Sequence, residues 1–336
     1  MSTYEPSLPD LRARIDLRLD EVLTERGREL PDAAPLVEEI RRVIAAGGKR
    51  LRPSFCFWGF RAVSGGPADE VLDAAAALEL LHTFAIVHDD IMDKATDRRG
   101  IASVNAVKGG DVALLVGDLA LVLADDLFMH SGLGPQVIAQ GFGCYSRMRQ
   151  EVIAGQYLDL EASRSPEVTE AQARRIAVLK SGRYSVEEPL AIGATLAGAT
   201  EAALGELTRF AAPLGEAFQL RDDLLGTFGS ATATGKSVDS DIRQGKRNIL
   251  FAATLARLSG DDRRFFTQRW GAGDLGASEI EDLRALIVES GARGATEGLL
   301  AHLTLEVEAG LDALASDETS KAALRDLARV SIERDS

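Results

Sequence analysis

Two stretches of this chain, residues 74–93 and 208–228, are apolar at helical spacing, and each carries adjacent aspartates near its end. The first closes on Asp89-Asp90-Ile91-Met92-Asp93; the second contains Gln219-Leu220-Arg221-Asp222-Asp223-Leu224-Leu225-Gly226. Such segments must be buried as long helices, yet carboxylates in apolar surroundings are costly to desolvate and need compensation. Asp89 and Asp93 are one helical turn apart, so their carboxylates rise from one face. Acids at a helix C-terminus also oppose the helix dipole. Two such acids beside Arg98-Arg99-Gly100 fit a Mg²⁺ site completed by substrate phosphates, because Mg²⁺ takes one or two carboxylates and keeps much of its water. Asp90, one residue on, is expected to face elsewhere. The second cluster is weaker alone, since Gly226 stands four residues after Asp222. Asp222 still suffices as one ligand among phosphates and waters. If the two helices face each other, their acids rim the mouth of an apolar tunnel, a shape suited to a greasy substrate with a phosphate head.

The rest of the chain repeats the helical signal. Residues 112–128 and 176–196 are apolar at helical rather than alternating spacing, and no convincing alternating strand appears. Pro53, Pro135, Pro166, Pro189 and Pro213 are expected near helix starts or ends, and residues 46–49, 96–110 and 229–245 as loops. The expected fold is all-α, a bundle with functional residues on facing helices. Without a linker-like run or repeat, residues 1–336 are expected to form a single domain, with 1–10 flexible. With 38 Lys and Arg against 52 Asp and Glu, a net charge of -14 makes nucleic acid an unsuitable partner. Cys56 and Cys144 lie in apolar helical contexts with no CxxC pair and are expected to be inert core thiols. Glu5 and Asp10 interrupt any leader-like start, and Asp118 breaks the apolar run 112–124, so no membrane span and a cytoplasmic location are expected.

Basic residues gather in three places: Gly47-Gly48-Lys49-Arg50-Leu51-Arg52-Pro53, Arg98-Arg99, and the pair Thr234-Gly235-Lys236 and Gly245-Lys246-Arg247. Lys49 and Arg52, at i and i+3, are expected on one side of a starting helix. Cations directly after both acidic clusters fit two separate diphosphates, with Arg offering a planar fork and Lys a point charge. Other patterns lack the chemistry they suggest. Glu79-Leu80-Leu81-His82 has the spacing of di-iron bundles but no second copy. Asp125-Asp126 and Asp261-Asp262 have no acid at i+4, and His130 and His302 have no recognisable partners. Lys49 lacks the spacing of a phosphate loop.

In this order, Gly-Gly-Lys-Arg-Leu-Arg-Pro (47–53), His82, Asp-Asp-x-x-Asp (89–93) and Arg-Arg-Gly (98–100) resemble the trans-polyprenyl diphosphate synthases. Gly155-Gln156-Tyr157-Leu158-Asp159-Leu160, Lys180-Ser181, residues 219–226 and Thr-Gly-Lys (234–236) continue the match, which covers roughly residues 40–250. The resemblance implies an isoprenoid synthase-type helical bundle around a central apolar cavity, usually as a homodimer. It implies condensation of isopentenyl diphosphate with an allylic diphosphate, with three Mg²⁺ per active site. Asp89, Asp93 and Asp222 resemble the direct metal ligands, while Asp159 and Asp241 resemble positions that hold metal-bound water. Arg98, Lys180, Lys236 and Lys246 resemble contacts to the allylic diphosphate; Lys49, Arg52, His82 and Arg99 resemble the isopentenyl diphosphate site. Ser181 and Gln219 resemble positions lining the reaction centre. The chain departs from many family members at Gly226, where they carry a third Asp.

Product length is expected to depend on Leu81, Phe84 and Ala85, one to two turns before Asp89. Ala85 is small and the first cluster has no insertion, while Phe84 offers a partial floor, which favours a twenty-carbon geranylgeranyl product over farnesyl or products of twenty-five carbons and above. Two other readings stay open. A class I terpene cyclase would lack the Lys49–Arg52 clamp and is usually richer in aromatics than the 5% here. A non-catalytic regulatory subunit would tend to have lost acids of the first cluster.

Overall fold

A computed structural model of the chain describes residues 6–229 and 239–333. The described residues are predominantly helical with almost no strand, as expected. The helices are α1 (Leu8–Glu29), α2 (Ala34–Ala45), α3 (Leu51–Ser64), α4 (Leu72–Met92), α5 (Val104–Lys108), α6 (Gly110–Met129), α7 (Pro135–Ser163) and α8 (Glu170–Ala177). A π-helix (Val178–Glu187) follows, then α9 (Glu188–Leu196), α10 (Glu201–Phe228), α11 (Ser240–Gln244), α12 (Ile249–Arg257), α13 (Gly260–Arg269), α14 (Ala277–Glu289), α15 (Ala292–Asp312) and α16 (Glu318–Ile332). The helices pack into two compact units.

The first unit comprises Met1–Tyr145, Pro189–Gly205 and Ala315–Leu327. Its axis is α4, whose run Ala74, Ala75, Ala76, Ala77, Leu78 and Leu80 has no exposed surface. Alanine gives strong helix propensity with a thin side chain, so α6 and α3 can pack directly on α4. Glycines permit equally close contact elsewhere. Gly193 of α9 lies so near the Cys56 carbonyl of α3 that an added Cβ would overlap it. Cys56 is fully buried, and desolvation pushes its thiol far above the ordinary range, the inert thiol expected.

A buried ion network ties the lower part of this unit together. Arg50, 3% exposed, caps the start of α3 in the left-handed conformation at φ 52°. Its Nε donates to Asp16 of α1 at 2.6 Å, and its Nη1 donates to Glu79 of α4 at 2.8 Å and to the Gly47 carbonyl at 3.1 Å. Its Nη2 donates to the Ile44 carbonyl at 2.7 Å. Glu79 is itself only 3% exposed.

The second unit comprises Ser146–Glu188, Glu206–Leu314 and Ala328–Ser336. Its core is built on α12, which packs on α15, α8 and α14. Phe251, Phe266 and Trp270 form an aromatic cluster there, with ring centroids 5.2–5.4 Å apart.

Several local expectations are corrected. Residues 176–196 are not one α-helix, because the π-helix Val178–Glu187 interrupts them. The 96–110 segment holds a small antiparallel hairpin, β1 (Asp97–Arg98) and β2 (Ile101–Ala102), as well as α5. Pro213 sits inside α10 rather than at an end. Lys49 precedes α3, and left-handed Arg50 intervenes, so Lys49 and Arg52 are not an i, i+3 pair on one helix. Finally, the helical segment Asp69–Met92 is long and apolar enough to cross a membrane, against the expectation that no stretch is. Of its most apolar window 61% is buried inside the protein, as in a core helix.

The Arg50 network yields a stability prediction. Arg50→Met should destabilise folding by about 3–5 kcal/mol, since it strands the buried Glu79 carboxylate without its cation. Urea unfolding at neutral pH checks this. A loss below about 1 kcal/mol, as for an exposed pair, would contradict it.

Candidate active-site residues

In the first unit two tight turns bring the cations together. Gly47 and Gly48 take φ of 102° and 138° between α2 and α3. In the hairpin, Arg99 and Gly100 take φ of 53° and 77°, the pattern of a two-residue turn with both central residues left-handed. Gly100 adopts it without strain, whereas Arg99 must be held there. Arg99 Nη1 donates to the Gly47 carbonyl. An added Cβ on Gly48 would lie 2.8 Å from Arg50 Nη1 and 3.0 Å from Arg99 Nη1, so only glycine lets both guanidiniums close over this turn. Burial lowers the Arg99 pKa, with Arg50, Arg52 and Arg98 adding to the effect and Glu79 opposing it. On α4, burial and the fields of Arg52, Arg99, Arg98 and Arg50 hold the His82 imidazole well below its usual pKa.

Seven residues further along α4, about 10 Å by helical rise, the acidic cluster begins. The Asp89 side chain is 23% exposed, whereas that of Asp90 is 4% exposed. Asp90 accepts from Arg98 Nε at 2.8 Å and also from its Nη2. Arg98 lies 3.5 Å from Asp89. Asp90 is thus buried against Arg98 while Asp89 stays more open, in line with the different direction expected one residue on from Asp89. Asp93 caps the end of α4, its N–H donating to the Asp89 carbonyl at 2.8 Å. Leu81 is buried in the core, and Phe84 and Ala85 are half-buried.

The second unit holds the other candidates. Lys180, on the π-helix, donates to Asp159 of α7 at 2.6 Å, and Ser181 follows it. On α10, Asp222 is half-buried while Asp223 is 2% exposed. Asp223 accepts from Gln219 Nε2 at 2.6 Å and from the Ile249 N–H at 3.3 Å. Burial first, then the nearby Asp241 and Asp222 carboxylates, push its pKa well up, with those two hydrogen bonds opposing. Asp241 accepts from Asn248 Nδ2 at 3.0 Å. Its carboxyl fills the space beside Gly226, where an added Cβ would lie 2.5–2.7 Å from it. The Lys246 backbone is pinned by the Asp241 carbonyl at 3.0 Å and by Trp270 Nε1 at 3.0 Å. Lys236 lies outside the described residues.

The structure therefore assembles two sets. Arg52, His82, Arg98 and Arg99 gather with Arg50 beside the Asp89 cluster, while Asp159 with Lys180, and Gln219, Asp223 and Asp241, gather in the second unit. Lys49 stands in the first turn, next to Arg50. Sequence reasoning missed four participants. Arg50 was one unremarked cation in a basic run. Glu79 drew notice for di-iron spacing, but its role is the ion pair with Arg50. Asn248 gave no signal beyond its amide. His88, adjacent to Asp89, stacks edge-to-face on Phe84 with centroids 4.8 Å apart, and its ring lies against Gly117 of α6. Among the look-alikes, Asp126 pairs with Arg26 at 2.6 Å and His302 with Glu306 at 3.3 Å, structural roles both.

Among the described residues no three His, Cys, Asp or Glu side chains converge into a closed metal cage. The acids on offer are oxygen donors only, which suits a hard cation such as Mg²⁺ that takes its remaining ligands from water and phosphate.

Comparison with known proteins places the chain. The family model for polyprenyl synthetase matches residues 34–287. A geranylgeranyl diphosphate synthase of Saccharolobus solfataricus is 30% identical, over 89% of this chain and 90% of its own. The crystal structure of a geranylgeranyl pyrophosphate synthase from Corynebacterium glutamicum, complexed with isoprenyl diphosphate and magnesium, is 32% identical. It matches 98% of this chain and 100% of its own with a TM-score of 0.93. A polyprenyl synthase from Caulobacter crescentus, complexed with calcium and isoprenyl diphosphate, has a TM-score of 0.84 at 27% identity, covering 99% of each chain. With three quarters of its length matched by the family model, the chain belongs to the polyprenyl synthetase family.

Proposed function

We propose that this trans-prenyltransferase condenses isopentenyl diphosphate with an allylic diphosphate to geranylgeranyl diphosphate, using three Mg²⁺ at one active site per chain. The observation that carries the reading is the division of labour along α4. His82 sits in the field of four arginines, and Asp89 and Asp93 stand two to three turns further on. One anion is suited to direct binding by cations and a second to binding through metal, as two diphosphates in one reaction require.

In this reading Lys49, Arg52, His82 and Arg99 hold the isopentenyl diphosphate head group and orient its double bond. Asp89, Asp93 and Asp222 bind Mg²⁺ directly, and Asp159 and Asp241 bind it through water. Mg²⁺, when bound, neutralises the departing diphosphate so that the allylic C–O bond ionises. Arg98, Lys180, Lys236 and Lys246 contact the same diphosphate. Ser181 and Gln219 line the reaction centre. The isopentenyl double bond attacks the allylic cation, and a proton is lost to the released diphosphate. No side-chain nucleophile is needed. Leu81, Phe84 and Ala85 limit the product, with Phe84 held in place by His88. Both units belong to one catalytic domain in this reading, and the two free cysteines suit a reducing cytoplasm.

The direct test incubates the purified protein with isopentenyl diphosphate, Mg²⁺ and dimethylallyl, geranyl or farnesyl diphosphate, with products identified by mass spectrometry. A linear twenty-carbon diphosphate is expected, and Phe84→Ala should lengthen it. Longer wild-type products would overturn the floor assigned to Phe84. A cyclic hydrocarbon formed without isopentenyl diphosphate, or no turnover, would overturn the reaction itself. Asp89→Asn should lower kcat at least about 100-fold with the fold intact, the scale seen when one charge-stabilising group is lost.

His82 should leave a pH signature. The unfolded chain binds a proton at about pH 6.5, whereas the folded imidazole does not until lower pH. Its contribution to stability is therefore whole above pH 6.5 and declines as the pH falls below, by at most about 1.4 kcal/mol per pH unit. His82→Gln should remove this component, so urea unfolding of variant and wild type should differ more at pH 7.5 than at pH 5. An offset that does not change with pH would count against the environment described.

A homodimer belongs to the same proposal. On α6, Leu115 and Val122, seven residues apart, are 54% and 61% exposed, an apolar stripe suited to a symmetric helix contact. Light scattering should report a dimer for wild type and a monomer for a variant combining Leu115→Asp and Val122→Asp. A variant that remains dimeric would exclude this face.

A further inference from the structure

The ten-residue π-helix Val178–Glu187 carries Lys180 and Ser181. Such a run of i→i+5 bonding is rare and occurs mostly as a single turn within an α-helix, so a longer one must be held by its surroundings. Two helices hold it through glycine. On α7, a Cβ added to Gly155 would lie 2.6 Å from Lys180 N, 2.9 Å from Lys180 Cα and 3.0 Å from the Leu179 carbonyl carbon. On α10, a Cβ added to Gly215 would lie 2.6 Å from the Gly182 oxygen, 2.8 Å from its carbonyl carbon and 2.9 Å from its Cα. Both are contacts with backbone, so no side-chain rotation relieves them.

The same two helices carry the polar partners. Asp159 stands one turn after Gly155 on the same face of α7 and accepts the Lys180 ammonium at 2.6 Å. Helix α7 thus fixes Lys180 at both ends, its backbone against Gly155 and its Nζ against Asp159. Gln219 stands one turn after Gly215 on α10 and donates to Asp223 at 2.6 Å. Gly215 therefore sets the π-helix against the segment of α10 that bears Asp222 and Asp223.

We infer that Gly155 and Gly215 are positioning residues for Lys180, holding its backbone at one depth so that its ammonium meets the allylic diphosphate in a fixed place. The inference rests on the reading of Lys180 as a contact to that diphosphate. A misplacement of about 1 Å can lower a rate about 100-fold, so a methyl group at either glycine acts on the reaction well beyond its effect on stability. Gly193 is the natural control. It is packed still more tightly, and its nearest neighbours, the Cys56 carbonyl and the Phe60 nitrogen, are not among the proposed site residues.

The test combines Gly155→Ala, Gly215→Ala, Gly193→Ala and Lys180→Ala, with the first two also placed in the Lys180→Ala background. Steady-state kinetics with farnesyl and isopentenyl diphosphate, calorimetric binding of inorganic diphosphate in Mg²⁺, and thermal unfolding are measured for each. Gly155→Ala and Gly215→Ala should lower kcat/KM for the allylic substrate at least about tenfold and weaken diphosphate binding, with the isopentenyl diphosphate KM changed less than about twofold. In the Lys180→Ala background the same substitutions should cost less than about twofold. Gly193→Ala should lower the melting temperature without either kinetic effect. Full additivity with Lys180→Ala, or glycine variants with unchanged allylic kinetics, would overturn the inference. If Lys180→Ala itself leaves turnover and diphosphate binding unchanged, the underlying reading of Lys180 falls instead. Should Gly155→Ala or Gly215→Ala fail to fold, Gly182→Ala replaces it. Its Cβ would meet Gly215 at a milder 3.0 Å, and the same pattern is expected.

Discussion

The pairing of Arg50 with Glu79 is the interaction on which the first unit's chemistry depends. Glu79 is buried within the largely apolar α4, and the cation delivered to it compensates its charge. Arg50 reaches it by adopting a left-handed conformation just after two glycines of positive φ, and in doing so draws α1, α3 and the Gly47 turn onto α4. Burial first, and then the fields of Arg52, Arg99, Arg98 and Arg50, hold the His82 imidazole well below its usual pKa. A cluster of like charges concentrates counter-ions of the opposite sign near it. The diphosphate-binding reading follows from this arrangement more directly than from the count of basic residues, since the chain as a whole is strongly acidic.

What was legible in the sequence was whatever a helix determines by itself. The burial of residues 74–81 on every face follows from their being, Glu79 apart, apolar on every face, and the separate surroundings of Asp89 and Asp90 from a 100° step per residue. Features set by backbone conformation outside the helix were not legible. Nothing in Val178–Glu187 announces i→i+5 bonding, and the glycines that pack on it, Gly155 and Gly215, are distant in sequence. Arg50 and Arg99 adopt φ above 50° without being glycine or asparagine, so propensity pointed elsewhere and the Lys49–Arg52 pair was placed on a helix that starts too late. Glu79 drew notice only for a di-iron spacing that the missing second copy rules out, and its pairing with Arg50 left no mark, since a buried acid looks the same in sequence whether it meets a metal or an arginine. Lys236 remains an expectation from its motif.

Glycine recurs wherever a proposed functional group must approach backbone or another side chain closely. Gly48 admits two guanidiniums, Gly117 admits the ring of His88 next to Asp89, and Gly155 and Gly215 admit the π-helix. These positions lack a Cβ for reasons of volume, and Gly48 for reasons of φ as well. Larger residues there would not remove a ligand, but they would move one.

Gly226 belongs to the same group and changes how the second acidic cluster reads. As a sequence position it looks like the loss of an acid that many relatives carry. In the fold, the Asp241 carboxyl already occupies the volume that a side chain at 226 would need, with a Cβ there only 2.5–2.7 Å from its atoms. A side chain at 226 and Asp241 in its present place therefore exclude one another. Asn248 holds the Asp241 carboxyl by a 3.0 Å hydrogen bond, and the same carboxyl is close enough to Asp223 to raise its pKa. The Asp241 carboxyl of α11 thus occupies the space beside Gly226 and adds its negative charge next to Asp223 of α10.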